Sequence, residues 1–157
     1  MKKSTRPSRG LWLLICTLVV IGSCKKDKHN DTPKTKTDLL TSGTWKYTGA
    51  IITPAYDYYG DGNAVTDIFS IMKTCEKDDF ETYKTNGTWE YNDGPTKCDA
   101  SDPQAFNLPW SLSTDETKLI LGGGENIILE LTTTALKLRY TFDDSGVTYT
   151  EEDSYEH

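Results

Sequence analysis

Ala135-Leu136-Lys137-Leu138-Arg139-Tyr140-Thr141-Phe142 alternates without a break. Leu136, Leu138, Tyr140 and Phe142 fall on one side, and Lys137, Arg139 and Thr141 on the other. Successive side chains of a strand point to opposite faces, so this stretch reads as a strand with one face in a core and the other in water. Asp143-Asp144-Ser145-Gly146 then supplies a turn, and Val147 to Glu151 continues as the next strand.

Working back along the chain, the same pattern recurs in short runs separated by turn residues. Lys118 to Leu121 and Asn126 to Leu131 flank Gly122-Gly123-Gly124 as a hairpin. Pro109 to Ser113 places Trp110 and Leu112 on one face. Asp79 to Lys84 and Thr88 to Asn92 form a second hairpin across Thr85-Asn86-Gly87, where Asn-Gly provides the positive φ that tight turns need. Thr44 to Thr53 is the first strand, with Trp45, Tyr47 and Gly49 on one face. The expectation is an all-β fold, a small antiparallel up-and-down barrel of about eight strands, because a meander joined by tight turns closes and loses its edges. A two-sheet sandwich is the structural rival. Pro54 to Cys75 is one irregular insertion, in which Val65, Ile68, Phe69 and Met72 have the spacing of a short helix over Ala64 to Met72.

The N-terminus has a different character. Lys2, Lys3, Arg6 and Arg9 precede an apolar run from Leu11 to Ile21, which is shorter than the roughly 20 residues a spanning helix requires. Ile21-Gly22-Ser23-Cys24 resembles the lipobox of bacterial lipoproteins. That resemblance implies cleavage before Cys24, acylation of its thiol with palmitate-type chains, and anchoring to an envelope membrane. Residues 1–23 are then signal peptide, 24–38 a lipidated cysteine and polar tether, and 39–157 the folded domain. Cys24-Lys25-Lys26-Asp27 is similar to the charged export signals of Bacteroidetes surface lipoproteins, although Lys28 interrupts it. The expected location is the outer membrane, with the periplasmic side and the cell surface both open.

Processing changes the charge. The chain carries 17 cations and 24 anions, net −7; losing Lys2, Lys3, Arg6 and Arg9 leaves 13 cations and a net −11. Such a surface speaks against nucleic acid as a partner and for a soluble, monomeric domain. Processing also removes Cys16 and commits Cys24, leaving Cys75 and Cys98. A bridge, two free thiols and half a metal site are the readings of that pair. A metal site needs two further ligands, while His29 and His157 lie in the tether and the tail, so a disulfide in an oxidising compartment is expected.

The domain from about Leu39 onward resembles the lipocalin-like domain of small Bacteroidetes lipoproteins. The residues behind this are Gly43-Thr44-Trp45, Asp67-Ile68, Cys75-Glu76-Lys77-Asp78-Asp79, Asn86-Gly87-Thr88-Trp89, Lys97-Cys98-Asp99, Trp110-Ser111-Leu112 and Leu131-Thr132. The resemblance implies an antiparallel barrel, a Trp45 that plugs its closed end, and the binding of a small molecule. Lipocalins often pack an Arg from a late strand across that Trp. Arg139 is the candidate by position, but its parity points it away from the core.

No catalytic motif is present in the sequence, and an enzyme is not expected. Asp78-Asp79 and Glu151-Glu152-Asp153 read as solvated turn charges. Trp45, Tyr47, Trp89, Tyr91, Trp110, Leu138 and Tyr140 are the candidates to line a cavity for a small apolar or amphipathic ligand. The alternative is an interaction module that contacts glycan or protein through Tyr56, Tyr58 and Tyr59, which cluster in the insertion and could equally lid the barrel. No cofactor is expected apart from Ca²⁺ at Asp57, Asp61, Asn63 and Asp67. That stretch has hard oxygen ligands around glycines but lacks the carboxylate an EF-hand requires at its last place.

Overall fold

The computed structural model describes residues 33–157. The signal segment 1–23, Cys24 and the tether up to residue 32 lie outside the described residues. In chain order the elements are α1 (Lys36–Leu40), β1 (Thr44–Tyr56), β2 (Val65–Asp67), α2 (Ile68–Ile71), α3 (Thr74–Lys77), β3 (Phe80–Tyr83), β4 (Thr88–Asn92), β5 (Ala105–Leu112), β6 (Lys118–Leu121), β7 (Gly124–Leu131), β8 (Ala135–Asp144) and β9 (Val147–Glu156). Among the described residues no helix is long and apolar enough to cross a membrane.

From β3 to β9 each strand pairs antiparallel with the next, and β1 pairs with both β3 and β9. That closes an eight-strand up-and-down barrel, the fold class expected, and rules out the open sandwich. β2 is an additional strand on the far half of β1, at Ile51↔Asp67 and Tyr56↔Val65. The β8–β9 ladder is the longest register, from Ala135↔Glu156 to Asp144↔Val147. Leu136 and Leu138 are buried as their parity requires. Arg139 turns outward and its guanidinium donates to Glu152 Oε1 on β9 at 2.9 and 2.5 Å.

Four details differ from the expectation, each for a physical reason. Gly49 does not share a face with Trp45 and Tyr47. The β1–β9 register jumps from Tyr47↔Tyr155 to Gly49↔Ser154, a bulge, and beyond it the inward positions become Ala50 and Ile52. The insertion helix is shorter than Ala64–Met72. Val65 to Asp67 is a strand on β1, and the Asp67 side chain accepts from the Ser70 N–H at 2.9 Å, which starts α2 late. Folded structure begins before Leu39. Thr35 and Asp38 form a reciprocal capping box that nucleates α1, so the polar composition of this stretch, read as tether, encodes a helix start. Finally, β9 runs on past Glu151 to Glu156, and β5 begins at Ala105.

The interior has two packed clusters. Leu40, Trp45, Tyr83, Trp89, Trp110, Leu119, Leu136, Leu138 and Tyr155 form the larger. Leu40 reaches it because α1 lies against the barrel and its carbonyl accepts the Trp45 indole N–H at 2.9 Å. Ala50, Ile52 and Ile68 form the smaller, beneath the insertion. Cys75 in α3 is bonded to Cys98 with Cα atoms 5.2 Å apart, tying the insertion to the β4–β5 connection.

Candidate ligand cavity

Between the two clusters the barrel is not filled. A cavity of about 230 Å³ lies there, walled by Trp45, Tyr47, Tyr91, Tyr140 and Tyr155 from the strands and roofed by Tyr58, Ile68, Met72 and Glu76 from the insertion. It adjoins a more open hollow of about 430 Å³, whose walls include Trp89, Phe106, Leu108, Leu121 and Leu138. The two share Glu81, Tyr91, Tyr140, Asp153 and Tyr155, so they form one lumen with a polar-aromatic part and an apolar part. Phe106 and Leu108 are 47% and 38% exposed although they point inward, because the apolar part opens to solvent.

Of the residues expected to line a cavity, Trp45, Tyr47, Trp89, Tyr91, Leu138 and Tyr140 are at the lumen. Trp110 is not. It is buried at an edge-to-face contact with Tyr83, and its indole N–H donates to the Lys84 carbonyl at 3.0 Å, so it packs the closed core instead.

The carboxylates are where the expectation fails. Asp79, Glu151 and Asp153 are not solvated turn charges; they are 6%, 7% and 8% exposed. Because β9 continues to Glu156, the inward parity of Tyr149 carries through Glu151, Asp153 and Tyr155, and two acids face the lumen. Glu81 does the same on β3, and Asp79 sits just before that strand. Three of the four, Asp153, Glu81 and Asp79, are met by neutral donors. Tyr47 OH donates to Asp153 Oδ1 at 2.7 Å. Trp89 Nε1 and Tyr83 OH each donate to Glu81 Oε2 at 2.9 Å. Tyr91 OH donates to Asp79 Oδ2, while Asp79 Oδ1 is buried with no partner.

Burial therefore raises the carboxyl pKa values. It pushes Asp153 up to about 7, against the Tyr47 hydrogen bond and with help from the charges of Glu151 and Glu81. Glu151 is raised by burial, which the hydrogen bond from Tyr140 only partly offsets. Glu81 and Asp79 are raised by burial against the bonds from Trp89 and Tyr91. The Tyr47, Tyr91 and Tyr140 hydroxyls are raised as well, first by burial and then by their acidic neighbours, so they act as donors.

The aromatic loop resolves into separate roles. Tyr56 belongs to the end of β1 and packs edge-on against Phe142 and Tyr149 at 5.5 and 4.8 Å, so it is barrel structure and not loop surface. Tyr58 is 41% exposed yet lines the cavity, which makes it part of the roof. Tyr59, 40% exposed, stacks edge-on against Tyr58 and donates to Glu76 Oε2 at 2.7 Å. The carboxylates proposed for Ca²⁺ are turned to local backbone. Asp57 accepts from the Asp61 and Gly62 N–H groups, Asp61 accepts from the Asn63 N–H, and Asp67 caps α2. Among the described residues no three His, Cys, Asp or Glu side chains gather to hold a metal.

The fold and the lumen define a class: a small all-β antiparallel barrel with an aromatic internal cavity. Complexes of bovine odorant binding protein are similar to this chain. The complex with undecanal is 13% identical, covers 80% of this chain and 75% of its own, and has a TM-score of 0.42. The complex with a selenium-containing odorant is 12% identical, covers 82% and 76%, and has a TM-score of 0.39. No family model and no curated protein matches the chain.

Proposed function

We propose that this protein is a membrane-anchored envelope lipoprotein whose barrel binds a small amphipathic molecule in its lumen. The observation that carries the reading is the unfilled, aromatic-walled space between two packed clusters. The buried side chains gather into the two clusters, and the space between them is left as a pocket that solvent can enter. A concave pocket lined by aromatic side chains on which polar groups converge is a usual form of small-molecule site. The anchor rests on the lipobox-like Ile21-Gly22-Ser23-Cys24, and placement on the periplasmic side or the surface follows from it.

Native mass spectrometry of the full-length protein, purified from its own host, tests the binding reading. A co-purifying small molecule that leaves on mild activation supports it. An apo mass, together with no fluorescence gain on adding the apolar dye N-phenyl-1-naphthylamine, refutes it. Radiolabelled palmitate incorporation that disappears in Cys24→Ser tests the anchor.

A further inference from the structure

We propose that the ligand of this lumen is an organic cation: an ammonium or guanidinium head held among Glu81, Glu151 and Asp153, with an apolar tail lying toward Leu108, Leu121 and Leu138. The inference rests on the small-molecule reading above and names the chemistry of its ligand.

Three observations converge on it. The polar-aromatic part of the lumen has five carboxylates on its walls, Glu76, Asp79, Glu81, Glu151 and Asp153, and no Lys, Arg or His. Among the described residues Glu76 alone of these acids is in an ion pair, with Lys73 at 3.9 Å, while Asp79, Glu81, Glu151 and Asp153 have no cationic partner. Asp79 Oδ1, on a side chain only 6% exposed that lines this cavity, has no hydrogen-bond partner at all. An unpaired buried carboxylate is costly, and proteins pair such charges or neutralise them. Burial raises the Asp153 and Glu151 pKa values, and no cation on the walls counters it.

The geometry also selects the kind of cation. A bare metal ion needs several oxygens converging on one point, and no such group exists among the described residues. The acids instead line a space together with the aromatic side chains of Tyr47, Tyr91 and Tyr140. That arrangement suits a larger, softer cation attracted both by carboxylates and by aromatic rings. Asp153 and Glu81 stand where the acidic and apolar parts of the lumen meet, so head and tail are accommodated at once. An anionic amphiphile, such as a fatty acid, would meet only like charge.

The test is a matched set titrated calorimetrically into the purified full-length protein at pH 8: octylammonium, octan-1-ol and octanoate, with displacement of N-phenyl-1-naphthylamine as a second readout. The expected result is octylammonium binding at least tenfold tighter than either analogue, with octanoate weakest. Asp153→Asn and Glu81→Gln should each collapse the ammonium-to-alcohol ratio toward one, whereas Glu130→Gln, exposed on β7, should leave it intact. Circular dichroism confirms that each variant is folded, and removing a buried charge should not lower its melting temperature. Equal or tighter binding of the alcohol or the carboxylate overturns the inference and leaves the small-molecule reading standing. Dye binding with no displacement by octylammonium also overturns it. Failure of the dye and all three amphiphiles overturns both.

Discussion

The His157 imidazole lies over the Trp45 indole, ring centroids 3.8 Å apart and planes tilted by 31°. Its Nδ1 is 2.8 Å from the Thr44 carbonyl and its Nε2 2.9 Å from Ser42 Oγ. The side chain thus bridges the end of β9, the turn after α1 and the start of β1. Arg139, as its parity predicts, does not reach Trp45: it is committed to Glu152 on the outer face, and it is His157 that lies over the indole.

Replacing His157 by Ala removes one aromatic stack and two hydrogen bonds at a partly exposed site. Stacked aromatic pairs contribute about 0.5–1.5 kcal/mol and each hydrogen bond about 1 kcal/mol net. The variant should lose about 2 kcal/mol in a urea titration, with Trp45 fluorescence reporting the loosened end. An unchanged midpoint would mean the stack contributes nothing to stability.

Much of this barrel was legible in the sequence, because alternation survives wherever one face is apolar. β8 and the two Gly-containing hairpins follow directly from Leu136 to Phe142 and from Asn86-Gly87 and Gly122-Gly123. Alternation failed as a guide at two places. The bulge at Gly49 changes parity in mid-strand, and no side-chain pattern marks it. Glu151 and Asp153 continue the inward face of β9 in charged residues, so a reading based on apolarity ends the strand early. The signal that could have found them is Tyr149-Glu151-Asp153-Tyr155, acids flanked by aromatics at period two. The roof of the cavity was legible only in part: the aromatic cluster offers Tyr58 as a lid, but Ile68 and Met72 join it through short, irregular structure held by Asp67 and by the disulfide.

The buried acids set a pH dependence for the unliganded barrel. In the unfolded chain Asp153 titrates near 3.8, and in the fold near 7. Below 3.8 it is neutral in both states and has no effect. Between those values the folded form holds a proton the unfolded form has released, so stability falls as pH rises, and above 7 the penalty is complete. Glu81, Glu151 and Asp79 shift in the same direction, while Glu152, lowered by Arg139, acts weakly in the opposite one. The melting temperature should be several degrees higher at pH 5 than at pH 8, on the order of 2 kcal/mol in stability. A flat profile would show that the acids are solvated in solution.

The disulfide should matter more to the roof than to the barrel. Cys75 and Cys98 are 23 residues apart and join α3 to the loop between β4 and β5, leaving every strand pairing untouched. Cys75→Ser with Cys98→Ser should cost roughly 3 kcal/mol by the chain-entropy account while the far-ultraviolet spectrum stays native. Release of bound dye should accelerate, since the roof segment that carries Met72 and Glu76 is then no longer tied to the β4–β5 connection. Unchanged release kinetics would separate the insertion from control of the cavity.

Gly94 offers a sharper test of how Asp79 is placed. It has a φ of +60°, and a Cβ added there would lie 2.3 Å from the Asp78 carbonyl oxygen and 2.8 Å from its carbonyl carbon. Both obstacles are backbone, and the positive φ already disfavours any side chain. The Thr96 N–H donates to Asp78 Oδ2 at 3.1 Å, so the segment around Gly94 and the residues leading into β3 are fastened together. Gly94→Ala must push them apart, and the residue displaced next is Asp79, whose carboxylate holds the Tyr91 hydroxyl. The variant should lose more than about 1 kcal/mol, the usual bound for a glycine whose conformation alanine cannot adopt. It should also weaken octylammonium binding, because Asp79 and Tyr91 both form the wall on that side of the cavity. Gly123→Ala is the control: φ is +93° there too, but no atom lies within 4 Å of the added carbon. It should show the backbone penalty alone, with ligand affinity unchanged, and equal affinity losses in both variants would detach Asp79 from the binding wall.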